Sequence, residues 1–488
     1  MTGANAAAVA LSLISHTNAG KTTLARTLLA RDVGDVRDAP HVTTEAAAYP
    51  LIETADGDML TLWDTPGFGD SARLARRLAQ EGNPVGWFLT QVWDRFRDRP
   101  FFLTQLAVRN VRDQADVVLY LVNAAEVPGD SGFLAPELAV LAWMGKPVLV
   151  LLNQTGPPRA PAIEAEDVAR WRAALAPHAE VRDVLALDAF ARCWVQEFAL
   201  FDAIGAVLAP PKRPAFERLA RAWRARRWAQ FDQAMDAITA PIAAAVCARV
   251  VVAPVAILKG LGGALGVGAD GRDREQEATL HKLAQQLDAE LRSAMDRLIA
   301  IHGLEGRAAA EVEARLATDV ATDQRLGEGK AAAVGGILSG AMTGLAADLA
   351  AGGLTFGAGM LTGAIIGALG GAGFARVLNR ARGQTEDAVR WDNAFLDRLV
   401  ASSLLRYLAI AHYGRGRGDW MESEYPAFWR TEVDSVLVEQ REALAAIWSL
   451  RGPPCDRAQV AIRLHALLAE AARTVLAKLY GNAARDDR

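Results

Sequence analysis

Ser15-His-Thr-Asn-Ala-Gly-Lys-Thr22 lies between an apolar run, Ala7 to Ile14, and a helical pattern, Leu24 to Arg31. Strand, glycine-bearing loop, lysine, hydroxyl and helix follow in the order of a phosphate-binding loop. Each part has its own physical reason. Gly20 lets backbone N–H groups turn inward on an anion, and Ala19 to Thr23 form the cradle. The helix that opens near Lys21 sets its positive dipole end on the phosphates. Lys21 has the reach for the β- and γ-phosphates, and the Thr22 hydroxyl suits Mg²⁺. Ser15 stands where G-x-x-x-x-G-K-[ST] begins with glycine. The bland alternative, a chance glycine turn before a helix, loses ground as further motifs appear.

Outward from that loop, the first 208 residues alternate short apolar runs with helical patterns. The runs are Ala7–Ile14, Ala47–Glu53, Met59–Trp63, Val117–Val122, Val148–Leu152 and Val184–Leu187. The helical patterns are Thr22–Leu29, Leu134–Met144, Ala165–Ala176 and Val195–Leu208. That alternation predicts an α/β, doubly wound and mostly parallel sheet, with ligands at the carboxyl ends of its strands. The second motif falls at such an end. Met59-Leu-Thr-Leu-Trp63 runs into Asp64-Thr-Pro-Gly67, 43 residues after Lys21. Asp64 is placed to hold Mg²⁺ through a water, and the Gly67 N–H to face the γ-phosphate. Read alone, the segment is a Pro-Gly turn with a capping aspartate.

Three weaker signals complete the constellation. In His41-Val-Thr-Thr-Glu45, Thr44, with Thr43 as runner-up, would complete the Mg²⁺ shell and sense the γ-phosphate. Asn153-Gln-Thr-Gly156 ends the run from Val148, so Asn153 and Gln154 stand at the base. Val184-Leu-Ala-Leu-Asp-Ala189 would bring the Ala189 N–H to a base oxygen.

Together these motifs resemble translation-factor-class GTPases, most closely the TrmE–Era group. Asn18-Ala-Gly-Lys-Thr22 is similar to the group's N-x-G-K-[ST], Thr43-Thr44 to its paired threonines, and Asp64-Thr-Pro-Gly67 to its D-T-P-G. Asn153 begins an N-K-x-D-like element. The likeness covers residue 5 to about residue 208. It implies GTP and GDP as ligands, Mg²⁺, and a monovalent cation, often K⁺, held with the help of Asn18. It also implies Lys21, Thr44, Gly67 and Asn18 as the catalytic set. Phe68 follows D-T-P-G where other GTPases carry glutamine, and an aromatic ring cannot orient the attacking water. Hydrolysis would then depend on K⁺, on the threonine loop and on pairing of two G domains, with slow basal turnover.

The departures bear on base choice. Gly156 stands where the group's aspartate would accept from guanine N1 and N2. A lost charge-assisted acceptor is worth roughly 1.5–3 kcal/mol, so guanine preference needs a stand-in acid that the sequence does not identify. An ATP-using P-loop protein stays open on this ground.

The other bounds are broad. At 488 residues, 51% hydrophobic and with net charge −4, the chain reads as two or three globular domains without a bias toward nucleic acid. Cys193, Cys247 and Cys455 are far apart and read as unpaired, which suits a reducing compartment. The seven histidines are scattered, so no His-based metal site is expected. The start of the chain lacks a signal-peptide pattern, and a cytoplasmic location is expected.

An aromatic, charged stretch from Gly82 to Leu103 reads as an extra helix or as a nucleotide-gated contact surface. Pro210-Pro-Lys-Arg-Pro214 marks a linker into a mostly α-helical second domain, 209–488. Arg218, Arg221, Arg224, Arg226 and Arg227 interleave with Trp223 and Trp228. That pattern is either a solvated face over core tryptophans or an attachment to anionic lipid. Ala331 to Ala375 has no Lys or Arg, one acid, Asp348, and glycines every four residues at Gly336, Gly340 and Gly344 and from Gly359 to Gly371. It reads as a glycine-zipped helical hairpin with arms near the length of a bilayer span. Its twelve strongly apolar residues supply only about −4 to −7 kcal/mol, so insertion is marginal. The expectation is a GTP-hydrolysing switch whose helical domain associates with the inner membrane, peripherally or integrally, or with itself, with a protein partner unnamed. The rival is a nucleotide-binding assembly module with little turnover.

Overall fold

The computed structural model describes residues 7–16, 19–33, 46–80, 99–156, 158–190, 193–252, 269–304, 374–377, 387–413 and 426–481. Two compact units emerge: Met1–Ala229 with Ala411–Met421 and Leu479–Arg488, and Gln230–Ile410 with Glu422–Lys478.

The first unit is built on a six-stranded sheet. Its strands are β1 (Ala8–Ser15), β2 (Ala47–Glu53), β3 (Met59–Asp64), β4 (Val117–Asn123), β5 (Val148–Asn153) and β6 (Val181–Ala186). The spatial order is β2-β3-β1-β4-β5-β6. All neighbours are parallel except β2 against β3. β4 and β5 are runs of Val, Leu and Tyr up to a closing asparagine, as befits strands buried on both faces. β2, at the edge, alternates exposed and covered residues and carries Pro50, where the pairing slips. This is the doubly wound sheet expected from the alternation of runs and helices. β1 extends to Ser15, and β6 begins at Val181 rather than Val184.

Helices α1 (Lys21–Leu29), α2 (Ser71–Gln80), α3 (Arg99–Gln114), α4 (Leu134–Met144), α5 (Pro161–Leu175) and α6 (Gln196–Val207) flank the sheet. α2 was not foreseen. It buries Leu74 and packs Ala75 and Leu78 against the sheet core. Arg73 and Arg77 lie over the Phe101 ring, at 4.3 and 5.0 Å from its centroid. The aromatic stretch ahead of α3, residues 82–98, lies outside the described residues.

α7 (Arg213–Cys247) begins in the first unit. Its aromatic face is core: Phe216, Trp223 and Trp228 are buried. Its arginines are largely consumed by pairing. Arg227 bonds both oxygens of fully buried Glu197 at 2.7 and 2.8 Å, and Trp223 Nε1–H donates to the same carboxylate at 2.6 Å. Arg218 forks onto buried Asp58 at 2.6 and 2.9 Å, and Arg224 pairs with Asp202.

The second unit is mostly helical: the rest of α7, then α8 (Ala269–Ile301), α9 (Asn393–Ala411), α10 (Ala427–Glu439), α11 (Arg441–Trp448) and α12 (Arg457–Tyr480). It also holds a small antiparallel sheet that the helical reading missed. β7 (Val250–Val252), β8 (Phe374–Val377) and β9 (Asp387–Trp391) run in the order β7-β9-β8, with Val250 opposite Val389 and Phe374 opposite Trp391. The expectation of three unpaired cysteines is overturned: Cys247 and Cys455 form a disulfide, with Cα atoms 5.5 Å apart. Their 208-residue separation hid a pairing that folding creates. Cys193 is buried and takes no part in a disulfide. Among the described residues no helix is long and apolar enough to cross a membrane. The glycine-rich segment lies outside them up to residue 373.

Candidate nucleotide site

β1 delivers Ser15 to the carboxyl edge of the sheet, and the chain turns there. Gly20, at φ 88°, opens α1. Only glycine adopts that angle without strain, and space demands it too. A Cβ on Gly20 would lie 2.6 Å from Asn153 Nδ2. Lys21, Thr22 and Thr23 form the first turn of α1 and are buried, as is Ala19.

The Lys21 ammonium donates to Ser15 Oγ at 2.8 Å. Ser15, the departure from the glycine consensus, therefore supplies an oxygen at the lysine head. Burial lowers the Lys21 pKa, opposed by the nearby Asp64 and Glu137 carboxylates. Thr22 Oγ1–H donates to Asp64 Oδ2 at 2.6 Å. The other oxygen, Asp64 Oδ1, is buried without a hydrogen-bond partner. Burial raises the pKa of Asp64, against the hydroxyl of Thr22 and the charge of Lys21. A hydroxyl and an orphaned carboxylate oxygen side by side are a donor set for a small hard cation. Thr22 and Asp64 thus fit Mg²⁺.

The segment after Asp64 is tied to the phosphate loop. Thr65 Oγ1–H donates to Leu13 O at 2.5 Å, and Phe68 N–H to Ser15 O at 2.9 Å. Phe68 also forms a parallel bridge with His16. Gly67 is buried immediately before it. The Phe68 ring is fully buried in the core with Ile14, Leu74 and Phe101. It points into protein, not toward a water.

On the other side of the loop, Asn153 ends β5 and is fully buried. Its Nδ2 donates to Ala19 O at 2.7 Å, and its Oδ1 accepts the Ala189 N–H at 2.7 Å. Ala189 O accepts in turn from Thr27 Oγ1 on α1 at 2.9 Å. Asn153 is therefore a brace between phosphate loop and base-side loop, and the Ala189 N–H assigned to a base oxygen points to that brace. Gln154 adopts φ 57° beside it. Thr43, Thr44 and Asn18 lie outside the described residues.

Two features escaped the sequence reading. Asp188 is buried between the loops: its Oδ2 accepts the Thr155 N–H at 2.6 Å and the Thr155 hydroxyl at 2.8 Å, and its Oδ1 accepts the Phe190 N–H at 2.7 Å. Its position just before Ala189 was the one available signal. Behind the phosphate loop, fully buried Glu137 bonds His16 Nδ1 at 2.7 Å and accepts the Tyr120 hydroxyl at 2.6 Å. His16 stacks on Phe133 with ring centroids 4.2 Å apart. Nothing in the spacing of those residues joins them.

Residues 172–471, more than half of the chain, match the family profile of a domain of unknown function, DUF3482. The chain belongs to that family. Residues 11–154 match the profile of the 50S ribosome-binding GTPase family, so this DUF3482 member carries a GTP-binding P-loop GTPase domain ahead of its helical region. No curated protein matches the chain. Solved structures similar to it include an Era variant of Aquifex aeolicus bound to GDP·AlF₄⁻, at 17% identity and TM-score 0.29 over 42% of this chain and 57% of that one. Another is Era with MgGDPNP and a segment of 16S ribosomal RNA, at 16% identity and TM-score 0.31 over 42% and 58%. The chain thus spans less than two thirds of the length of those Era chains.

Proposed function

We propose that this DUF3482 protein is a GTP-hydrolysing switch whose nucleotide state governs its helical domain. The observation that carries the reading is the convergence of Lys21, Thr22 and Asp64 at the end of β1 and β3, with one Asp64 oxygen buried and unpartnered. Lys21 exchanges the Ser15 hydroxyl for β- and γ-phosphate oxygens, and the amides of Ala19 to Thr23 cradle the same group. Thr22, Asp64 and Thr44 would hold Mg²⁺, which when bound would supply neutralisation of phosphate charge. The Gly67 N–H meets the γ-phosphate. Asn18 contributes to a K⁺ site, and Asn153 with Gln154 and Ala189 frames the base.

Phe68 takes no part in positioning water, because its ring is buried in the core. Turnover therefore relies on K⁺, on the threonine loop and on pairing of two G domains, and is slow alone. The same burial favours a second reading, a nucleotide-binding assembly module with little hydrolysis. Downstream, residues 331–375 give the helical domain its route to the inner membrane from the cytoplasmic side, or to a second copy, since their marginal insertion energy suits conditional association.

Phosphate release from GTP in K⁺ against Na⁺, with Lys21→Ala as control, tests the reading. Release that is faster in K⁺ and abolished in Lys21→Ala is expected. Binding of GTP without release in either salt supports the assembly module. Failure of the intact chain to bind any nucleoside triphosphate with Mg²⁺ overturns both.

A further inference from the structure

We infer that Asp188 is the residue that selects guanine, in place of the acid missing at Gly156. The inference rests on the nucleotide reading above. β5 and β6 are parallel neighbours, and the pairing continues past β6 through Leu187 N–H to Leu152 O at 3.1 Å. Asn153 and Asp188 therefore emerge together at the carboxyl ends of the two strands, where a ligand on such a sheet lies. Asn153 touches Ala19 of the phosphate loop directly. A nucleotide gripped by that loop must set its base beside Asn153, within reach of the loop that Asp188 begins.

Gly156 offers no side chain at the position of the missing acid. Gly156 sits at φ 81°, an angle that side chains rarely adopt, and a Cβ there would meet nothing within 4 Å. Asp188 is instead 3% exposed and anchored from both sides. The backbone amides of Thr155 and Phe190 fix one oxygen each, while the Thr155 hydroxyl is a rotatable donor. Guanine offers N1–H and N2–H as adjacent donors. They match a carboxylate that exchanges side-chain donors such as the Thr155 hydroxyl for the base. Adenine presents a lone pair at N1 and would be repelled. Burial strengthens both effects. Glu164, which also faces Asp188, is the neighbouring rival. Its Oε1 is taken up by the Arg159 N–H at 3.1 Å.

The test is equilibrium binding of GDP, IDP, XDP and ADP to the full chain with Mg²⁺. For the unmodified protein, IDP, which lacks the N2 amine, is expected to bind about tenfold more weakly than GDP, and ADP more weakly still. Asp188→Asn is expected to lose GDP affinity and gain XDP affinity, because an amide can donate to the xanthine C2 oxygen. The GDP:XDP ratio should move by about a hundredfold. Glu164→Gln and Thr155→Val should keep the guanine preference. A parallel loss of GDP and XDP in Asp188→Asn, or collapse of the preference in Thr155→Val, makes Asp188 a loop anchor only and overturns the assignment. If Asp188→Asn does not fold, equal binding of GDP and IDP to the unmodified protein overturns it. Absence of all binding in the unmodified protein is a separate result, which removes the nucleotide reading itself.

Discussion

Gly20 carries two constraints at once: a left-handed φ of 88° and a Cβ position 2.6 Å from Asn153 Nδ2. Gly20→Ala must therefore strain the backbone and push Asn153 off Ala19 O, which also loosens Ala189. The expected cost is about 1–3 kcal/mol in the nucleotide-free protein, read by urea unfolding. GTP affinity should fall in the same variant, since the amide cradle is displaced. An unchanged urea midpoint would contradict the brace. The sequence made Gly20, Lys21 and Asp64 legible because phosphate and metal dictate residue types at fixed short spacings. It left the brace and Asp188 unread. Asn153 and Ala189 are 36 residues apart, and Asp188 and Thr155 are 33 apart. Such pairs exist only once β5 and β6 lie side by side.

At the scale of the element, α7 shows how charge can mislead. Five arginines between tryptophans read equally well as a lipid-facing helix, yet Arg218, Arg224 and Arg227 each hold an acid of the first unit. The Arg218–Asp58 fork sets a pH dependence. Hydrogen bonding to Arg218 holds the Asp58 carboxyl below its ordinary value, against burial, which raises it. A carboxyl depressed in the folded state contributes stability above its unfolded pKa, about 3.9. That contribution is lost as pH falls through the lower folded value. Arg218→Ala should therefore unfold at a lower temperature than the parent at neutral pH. The gap should shrink as pH falls below about 4, followed by circular dichroism. A gap independent of pH would assign the fork no electrostatic role. The strands were legible because β4 and β5 are buried on both faces and so carry unbroken apolar runs. α2 was not, because Arg73, Arg76 and Arg77 crowd its short pattern.

For the whole molecule, the disulfide between Cys247 and Cys455 has the longest reach. It closes a loop of 208 residues inside the helical unit, and that loop contains the entire glycine-rich segment. Removing so long a loop's freedom from the unfolded chain is worth about 5 kcal/mol. The clip also fixes the end of α7 to the approach of α12, whatever the segment between them does. The GTPase domain holds neither cysteine, so the two halves should respond differently to reductant. Cys247→Ser, or a reducing agent on the parent, should lower the unfolding free energy of the helical unit by about that amount, and its urea midpoint with it. GDP affinity should stay within twofold, because none of the site residues touches the bridge. The check is urea unfolding followed by tryptophan fluorescence, with labelled GDP monitored in parallel. Equal midpoints with and without reductant would mean that the bridge does not restrain the unfolded chain. Loss of GDP binding on reduction would show that the helical unit and the nucleotide site are coupled, which by linkage is the coupling proposed above seen from its other end.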